Sequence, residues 1–591
     1  MRLRDIIVLF VCGILAVALL GAAGTQLDYI NSQRQELKLI SNTPLENAPP
    51  SLAFATVAMG AFRGLVVDIL WMRAETLKEE GQFFDAKQLA DWITTLQPRF
   101  AAVWDFQSWN MAYNISVAIP ATQPEERWRW VKNGYELLRD QGIALNPKSV
   151  LLYRQLAFMF QHKIGALSDD AHKYYKLQLA EAMEPLLGPA DNRYFEALAK
   201  APTEWRQIEN DPNIRPLITA LKAADKAFTD NDSFVANYLS LRQNPSRFSS
   251  AAFETIDSFR GTRALDQFDI FARAYQLRNT WKLDPVLMHE LNKVYGPIDW
   301  SDPNKHLPLD WRHPDSHAIY WSVKGLQIAT RQESREVGMD ETNTDRMVGH
   351  SLQNLFRYGK IFIYDIPPEP SGDSSSQTPQ TPMKEVYLRP DLRMFEPYNK
   401  SMLATLEKYK AVDRGVYESM QTGHRNMLRN AILSFYQSGH KIQAQKIYDQ
   451  MRQLYPRAEV KVPLVVFVRN RFLEELKSLY ITNANEIVQM LLRESYFLYA
   501  MRDDDEAYGR ENLAKEIHDY YMSAWEEEHR IDLPEFPLLR YLALVDFLND
   551  RQYAPGLRLA LRNRIRIERP DLYAELTKQQ DKLRKQSEQP Q

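Results

Sequence analysis

Residues 80–100 read EGQFFDAKQLADWITTLQPRF, with a glycine at 81, an alanine at 86 and a proline at 98. Glycine enters the left-handed backbone of a helix-ending turn without strain. Alanine lets two helices approach closely, and proline cannot continue a helix. The stretch therefore predicts a turn at Gly81, a helix opening with Phe83 and Ala86, and a stop at Pro98. Ala74 and Leu77 stand before the turn at the spacing of a preceding helix.

The longer phrase, DILWMRAETLKEEGQFFDAKQLADWITTLQP (68–98), resembles the tetratricopeptide repeat, a helix–turn–helix unit of about 34 residues. Two further windows share the register. GIALNPKSVLLYRQLAFMF (142–160) closes one unit at Pro147 and opens another with Tyr153, Leu156, Ala157 and Phe160. MLRNAILSFYQSGHKIQAQKIYDQMRQLYP (427–456) places Leu428, Ala431, Phe435, Gly439, Ala444, Tyr448 and Pro456 at matching positions. The three windows cover a minor part of the chain. What they imply is an all-α, tetratricopeptide-like solenoid of helical hairpins. EIVQMLLRESYFLYAMRDDDEAYGRENLAKEIHDYYMSAW (486–525) reads as a helix pair without the full signature.

With 591 residues, 45% of them apolar and 25% charged, the chain is too long for one core and has the composition of a globular protein. A net charge of −3 gives no reason to expect nucleic acid as a partner. The single cysteine, Cys12, excludes a disulfide framework within the chain.

Cys12 lies in IIVLFVCGILAVALLGAAG (6–24), 19 residues without a charge, long enough to cross a bilayer core of roughly 30 Å. Arg2 and Arg4 precede it, so the positive-inside bias leaves the N-terminus in the cytoplasm and the bulk of the chain on the outer, periplasmic side. A cleaved signal peptide, using the small residues Gly21–Ala23, is the alternative reading. The second apolar stretch, 51–74, is interrupted by Arg63 and Asp68 and is read as a buried amphipathic helix.

The expected organisation is a cytoplasmic end (1–5), an anchor (6–24), a stalk (25–50), an N-terminal helical region (51–366), a disordered loop (367–382), a C-terminal helical region (383–575) and a polar tail (576–591). GKIFIYDIP and KEVYLRP alternate apolar and polar residues and predict a small β-hairpin near 361–390. YGPIDWSDPNKHLPLDWRHPDSHAIYW (295–321) predicts a structured loop leading into a helix that starts near Pro314.

Catalytic signals are weak. LLRESYF carries Glu494 in a setting that resembles the catalytic opening of lytic transglycosylases, where such a glutamate is the general acid. The glycine-rich element that follows in that family is missing here. His313 and His317 are four residues apart, but Pro314 between them spoils the shared helix face that a metal would need. The bland reading has Asp310 or Asp315 capping the helix, with Tyr320 and Trp321 in the core. No catalytic residue, cofactor or metal site is assigned.

Binding signals are clearer. Trp104, Trp109, Trp128 and Trp130 cluster with Phe106 and Tyr113, either as a core stripe or as anchors in a peptide-binding groove. Arg558, Arg562, Arg566 and Arg569 fall at intervals of four, four and three. Residues 551–570 hold six arginines and one glutamate, a net +5. The stripe is either a solvated capping face, partly balanced by Glu526–Glu528, or a dock for anionic lipid or an acidic partner. The reading is a membrane-anchored, envelope-facing scaffold that binds a protein partner; the alternative is a glycan-cleaving envelope enzyme with Glu494 as its acid.

Overall fold

The computed structural model describes residues 14–15, 63–243, 245–330, 338–366, 383–477, 484–524, 534–550 and 553–587. Helix accounts for 78% and strand for 3%, so the class is all-α. Of the apolar run 6–24 only Ile14 and Leu15 are described, both helical; the stalk 25–50, the segment 367–382 and Glu526–Glu528 lie outside the described residues. Among the described residues no helix is long and apolar enough to cross a membrane. The chain divides into two compact units, Met1–Pro98 and Arg99–Gln591.

In the first unit, helices Arg63–Glu79 and Phe83–Leu96 pack as a hairpin. Ala74, Ala86, Ala90 and Ile93 are fully buried between them. Gly81 sits at φ +77°. The Gln82 N–H donates to the Leu77 carbonyl (2.8 Å) and the Gly81 N–H to the Lys78 carbonyl (3.1 Å). These two bonds satisfy carbonyls that the helix end leaves open. The part of the 51–74 stretch that is described is helical, with a narrow buried face: Val67 and Ala74 are buried, whereas Leu65, Ile69 and Met72 are exposed.

The same closure recurs twice in the second unit. Helices Arg414–Gln437 and Lys441–Leu454 meet at Gly439 (φ +83°), with His440 N–H on the Phe435 carbonyl (2.9 Å) and Gly439 N–H on Tyr436 (3.1 Å). Ala431 and Ala444 are buried at their contact. Helices Ala484–Ala500 and Asp504–Ala524 close likewise, with Asp503 N–H on Leu498 (3.0 Å) and Arg502 N–H on Tyr499 (3.1 Å). Here Arg502 takes the glycine's place at φ +61°, which explains why the sequence lacks the full signature.

The middle window departs from sequential pairing. Tyr153, Leu156, Ala157 and Phe160 are buried as expected, but helix Val150–Phe158 packs on helix Pro314–Thr330, not on the next helix in the chain, His172–Met183. Gly325 makes the approach feasible: a Cβ there would lie 2.9 Å from the Tyr153 Cβ.

One apolar core runs from Trp104 to Val468 and contains buried residues from both sides of 367–382. A second spans Val488–Leu576. The expected hairpin forms from strands Lys360–Ile366 and Met383–Arg389, antiparallel, with Ile361 opposite Leu388 and Ile363 opposite Val386. Its alternation has a use on both faces: Ile361 and Val386 pack on Leu177, while Phe362 meets the second core. A shorter hairpin, Ile298–Asp299 with Asp302–His306, lies within the structured loop and carries Trp300 at its tip, before the helix that does begin at Pro314.

Candidate functional site

Helices Ala101–Trp109 and Val150–Phe158 each run into a π turn, Asn110–Ile115 and Met159–Ile164. An aromatic residue stands just before each π turn and a second ring follows four residues later: Trp109 with Tyr113, and Phe158 with His162. The rings form one row. Trp109 stacks on Tyr113 (centroids 3.9 Å, 14°) and on Phe158 (5.8 Å, 13°), and Phe158 stacks on His162 (4.9 Å, 8°). Trp109, Tyr113 and Phe158 are half-buried and His162 is exposed. π turns of this kind are frequent at functional sites.

A buried ion triad backs the row. Asp169 accepts from Lys163 (2.5 Å) and Arg127 (3.2 Å), and the Lys163 ammonium lies 5.3 Å from the Tyr113 ring centroid. Burial lowers the Lys163 pKa, against the pull of Asp169. Burial, then the charge of Asp169, raises that of the Tyr113 hydroxyl. An open groove of about 380 Å³ runs beside the row, lined by Trp109, Phe158, Arg154, Asn343, Arg346 and His350 among others. Arg154 is paired with Asp340 at 3.3 Å. Arg346 has no carboxylate partner among the described residues. Aromatic surface beside a guanidinium is a setting that holds an apolar or acidic segment of another chain.

Below the groove, the loop DWRHPDSH builds a closed polar hub. The expected caps at Asp310 or Asp315 are not the ones used. His313 caps the helix instead: its Nδ1 accepts from the Asp315 N–H (3.1 Å), and its Nε2–H donates to the Tyr358 carbonyl (3.0 Å). His317 donates from Nε2 to the Trp311 carbonyl (2.9 Å) and stacks on Phe160 at 4.8 Å. The two imidazoles thus serve different carbonyls, and burial lowers both pKa values to about 4. Tyr320 and Trp321 are buried, as expected. Asp315 accepts from Asn354 (3.1 Å), and burial pushes its carboxyl up to about 7. Lys176, lowered by burial to about 7, donates to the Ala166 carbonyl (3.0 Å) and lies 3.1 Å from His172 Nδ1. Gln161 reaches across to Ser351 Oγ (2.7 Å). Enclosed and cross-bonded, the hub fixes how the helices behind the aromatic row sit.

The four tryptophans are not one surface. Trp104 is in the core at 3% exposure, and Trp128 packs over Tyr175 (5.8 Å). Trp130 is half-buried, and Trp109 alone of the four lines the groove. The arginine stripe on helix Pro555–Glu568 also divides. Arg558 donates to the Leu548 carbonyl (3.0 Å) and Arg569 pairs with Glu511 (2.7 Å), whereas Arg562 and Arg566 are exposed. Glu494 pairs with Arg510 at 3.2 Å. Among the described residues no group of three or more His, Cys, Asp or Glu is placed to hold a metal ion. Phe158, His162 and Arg346 join Trp109 from 49, 53 and 237 positions away in the chain. The shared spacing W-x-x-x-Y and F-x-x-x-H before and within a helix was the available signal. No family model matches the chain, and no curated protein matches it.

Proposed function

We propose that this protein is a non-catalytic scaffold of tetratricopeptide-like helix pairs that binds a protein partner of an envelope assembly along the Trp109 groove. In this reading residues 6–24 hold it at the outer face of a cytoplasmic membrane. One observation carries the binding role: a half-buried row of stacked rings borders an open groove that also holds Arg346 without a carboxylate partner. Tryptophan and arginine dominate the energetics of protein interfaces, and a guanidinium without a partner favours an acidic segment.

The test compares the full chain with Trp109→Ala and Arg346→Glu by affinity capture from solubilised membranes, with quantitative mass spectrometry. Both changes are expected to deplete the same set of captured proteins at least tenfold, with melting temperatures within a few degrees of the parent. Unchanged capture by both variants overturns the reading. A peptidoglycan digestion assay with Glu494→Gln addresses the enzyme alternative, for which activity abolished by that change is the signature.

A further inference from the structure

A second cavity, built from different residues, lies between the tip of the 298–306 hairpin, the start of helix Phe395–Tyr409 and the first turn of helix Lys441–Leu454. Its volume is about 440 Å³, within the range of small-ligand sites. Ile298, Phe395 and Phe435 line it and are buried, so part of its wall is apolar. Trp300 is 47% exposed at the hairpin tip and stands edge-on to His440, centroids 4.5 Å apart at 69°.

The polar lining is unevenly charged. Lys400 and Lys446 are exposed, and neither has a carboxylate within ion-pair distance among the described residues. Arg393 is held by Asp391, which accepts from Nε (2.8 Å) and Nη2 (2.7 Å), and the charges of Asp299 and Asp505 also act on it. The His440 Nε2 lies 3.2 Å from an Asp505 carboxylate oxygen. The one acidic lining residue, Glu396, meets only the Gln443 amide among the described residues, at 3.4 Å.

We propose that this cavity binds the C-terminal residue of a peptide, its carboxylate between Lys400 and Lys446 and its apolar side chain against the exposed Trp300 ring. Two ammonium groups without a carboxylate partner among the described residues call for an anion, and the exposed Trp300 ring calls for an apolar body attached to it. Glu396 separates a peptide from a fatty acid. A carboxylate beside a cationic site gains from an N–H donor, which the amide preceding a terminal residue supplies and an acyl chain lacks. The first turn of helix Lys441–Leu454, which has no side-chain cap, adds its positive end to the same cavity.

The test uses the full chain in detergent and a pool of N-acetylated tetrapeptides ending in leucine or phenylalanine. Calorimetry compares the free acids with the same pool as C-terminal carboxamides, and with decanoate. The acids are expected to bind at least tenfold more tightly than either, with affinity falling at least threefold between 50 and 500 mM salt. Lys400→Met/Lys446→Met should abolish that preference without moving the melting temperature, since both side chains are exposed. Trp300→Ala should weaken acids and carboxamides alike. Carboxamides binding as well as acids, decanoate binding as tightly as the peptides, no measurable binding of the acids, or an unaffected double variant each overturns the proposal.

Discussion

His313 shows how much one buried side chain carries. It caps a helix through Nδ1 and satisfies the Tyr358 carbonyl through Nε2, a division that requires the neutral ring. His313→Ala leaves both backbone groups open and a cavity behind, and should cost about 3–4 kcal/mol in urea unfolding. His313→Asn keeps a capping oxygen and should cost clearly less. The sign of the pH dependence follows from the same burial. The folded-state pKa values of His172, His313, His317 and His424 are lowered to about 4. Between pH 6.5 and 4 the unfolded chain therefore takes up protons that the folded chain refuses, and stability falls on acidification. Asp315, raised to about 7, opposes this with one proton against four. Lys176, lowered to about 7, works above neutrality: from pH 7 towards 10 the unfolded chain holds a proton that the folded one lacks, so stability rises with pH. Urea midpoints should therefore increase from pH 5 to 7 and again to 9. Lys176→Met should flatten the second rise; an equal rise in the variant would assign it to another group.

Among the elements, the three hairpin closures differ in one informative way. Gly81 and Gly439 adopt positive φ freely, whereas Arg502 does so against the steric preference of an L side chain. Arg502→Gly should raise the stability of its helix pair by roughly 1 kcal/mol. Gly439→Ala should lower stability by about 1 kcal/mol or more, because the new methyl is also placed 3.1 Å from the Tyr508 ring. Differential scanning calorimetry of both variants reads the two signs. A destabilised Arg502→Gly would mean that its side chain contributes more than its backbone conformation costs.

For the second unit as a whole, the apolar interior is divided between a large core, Trp104–Val468, and a smaller one, Val488–Leu576. Their connection is partly polar: Asn512 Nδ2 reaches the Gln437 carbonyl at 3.4 Å, His440 Nε2 lies 3.2 Å from Asp505, and Lys360 lies 3.7 Å from Asp503. Two urea transitions are expected for the full chain in detergent. Leu539→Ala, fully buried in the smaller core, should move only the lower one by about 2–5 kcal/mol, and Leu352→Ala only the upper. A single transition that both variants shift equally would show that the cores fold as one.

What residues 68–98 and 427–456 determined by themselves was local: a glycine that can turn, an alanine where two helices cross, and a proline that stops one. These signals act over a few positions, and they placed Gly81 and Gly439 correctly. The alternation around 361–390 was legible for the same reason, since a strand's two faces follow from a period of two. The tertiary structure decided what depends on residues far apart. It set helix Val150–Phe158 against helix Pro314–Thr330, because Gly325 leaves room for Tyr153. It selected Trp109 for the groove and sent Trp104 to the core, which composition alone could not distinguish. It split the arginine stripe by giving Arg558 a carbonyl and Arg569 a carboxylate. Burial and partner choice are sums over distant contacts, and a helical pattern specifies which face is apolar without specifying what that face will meet.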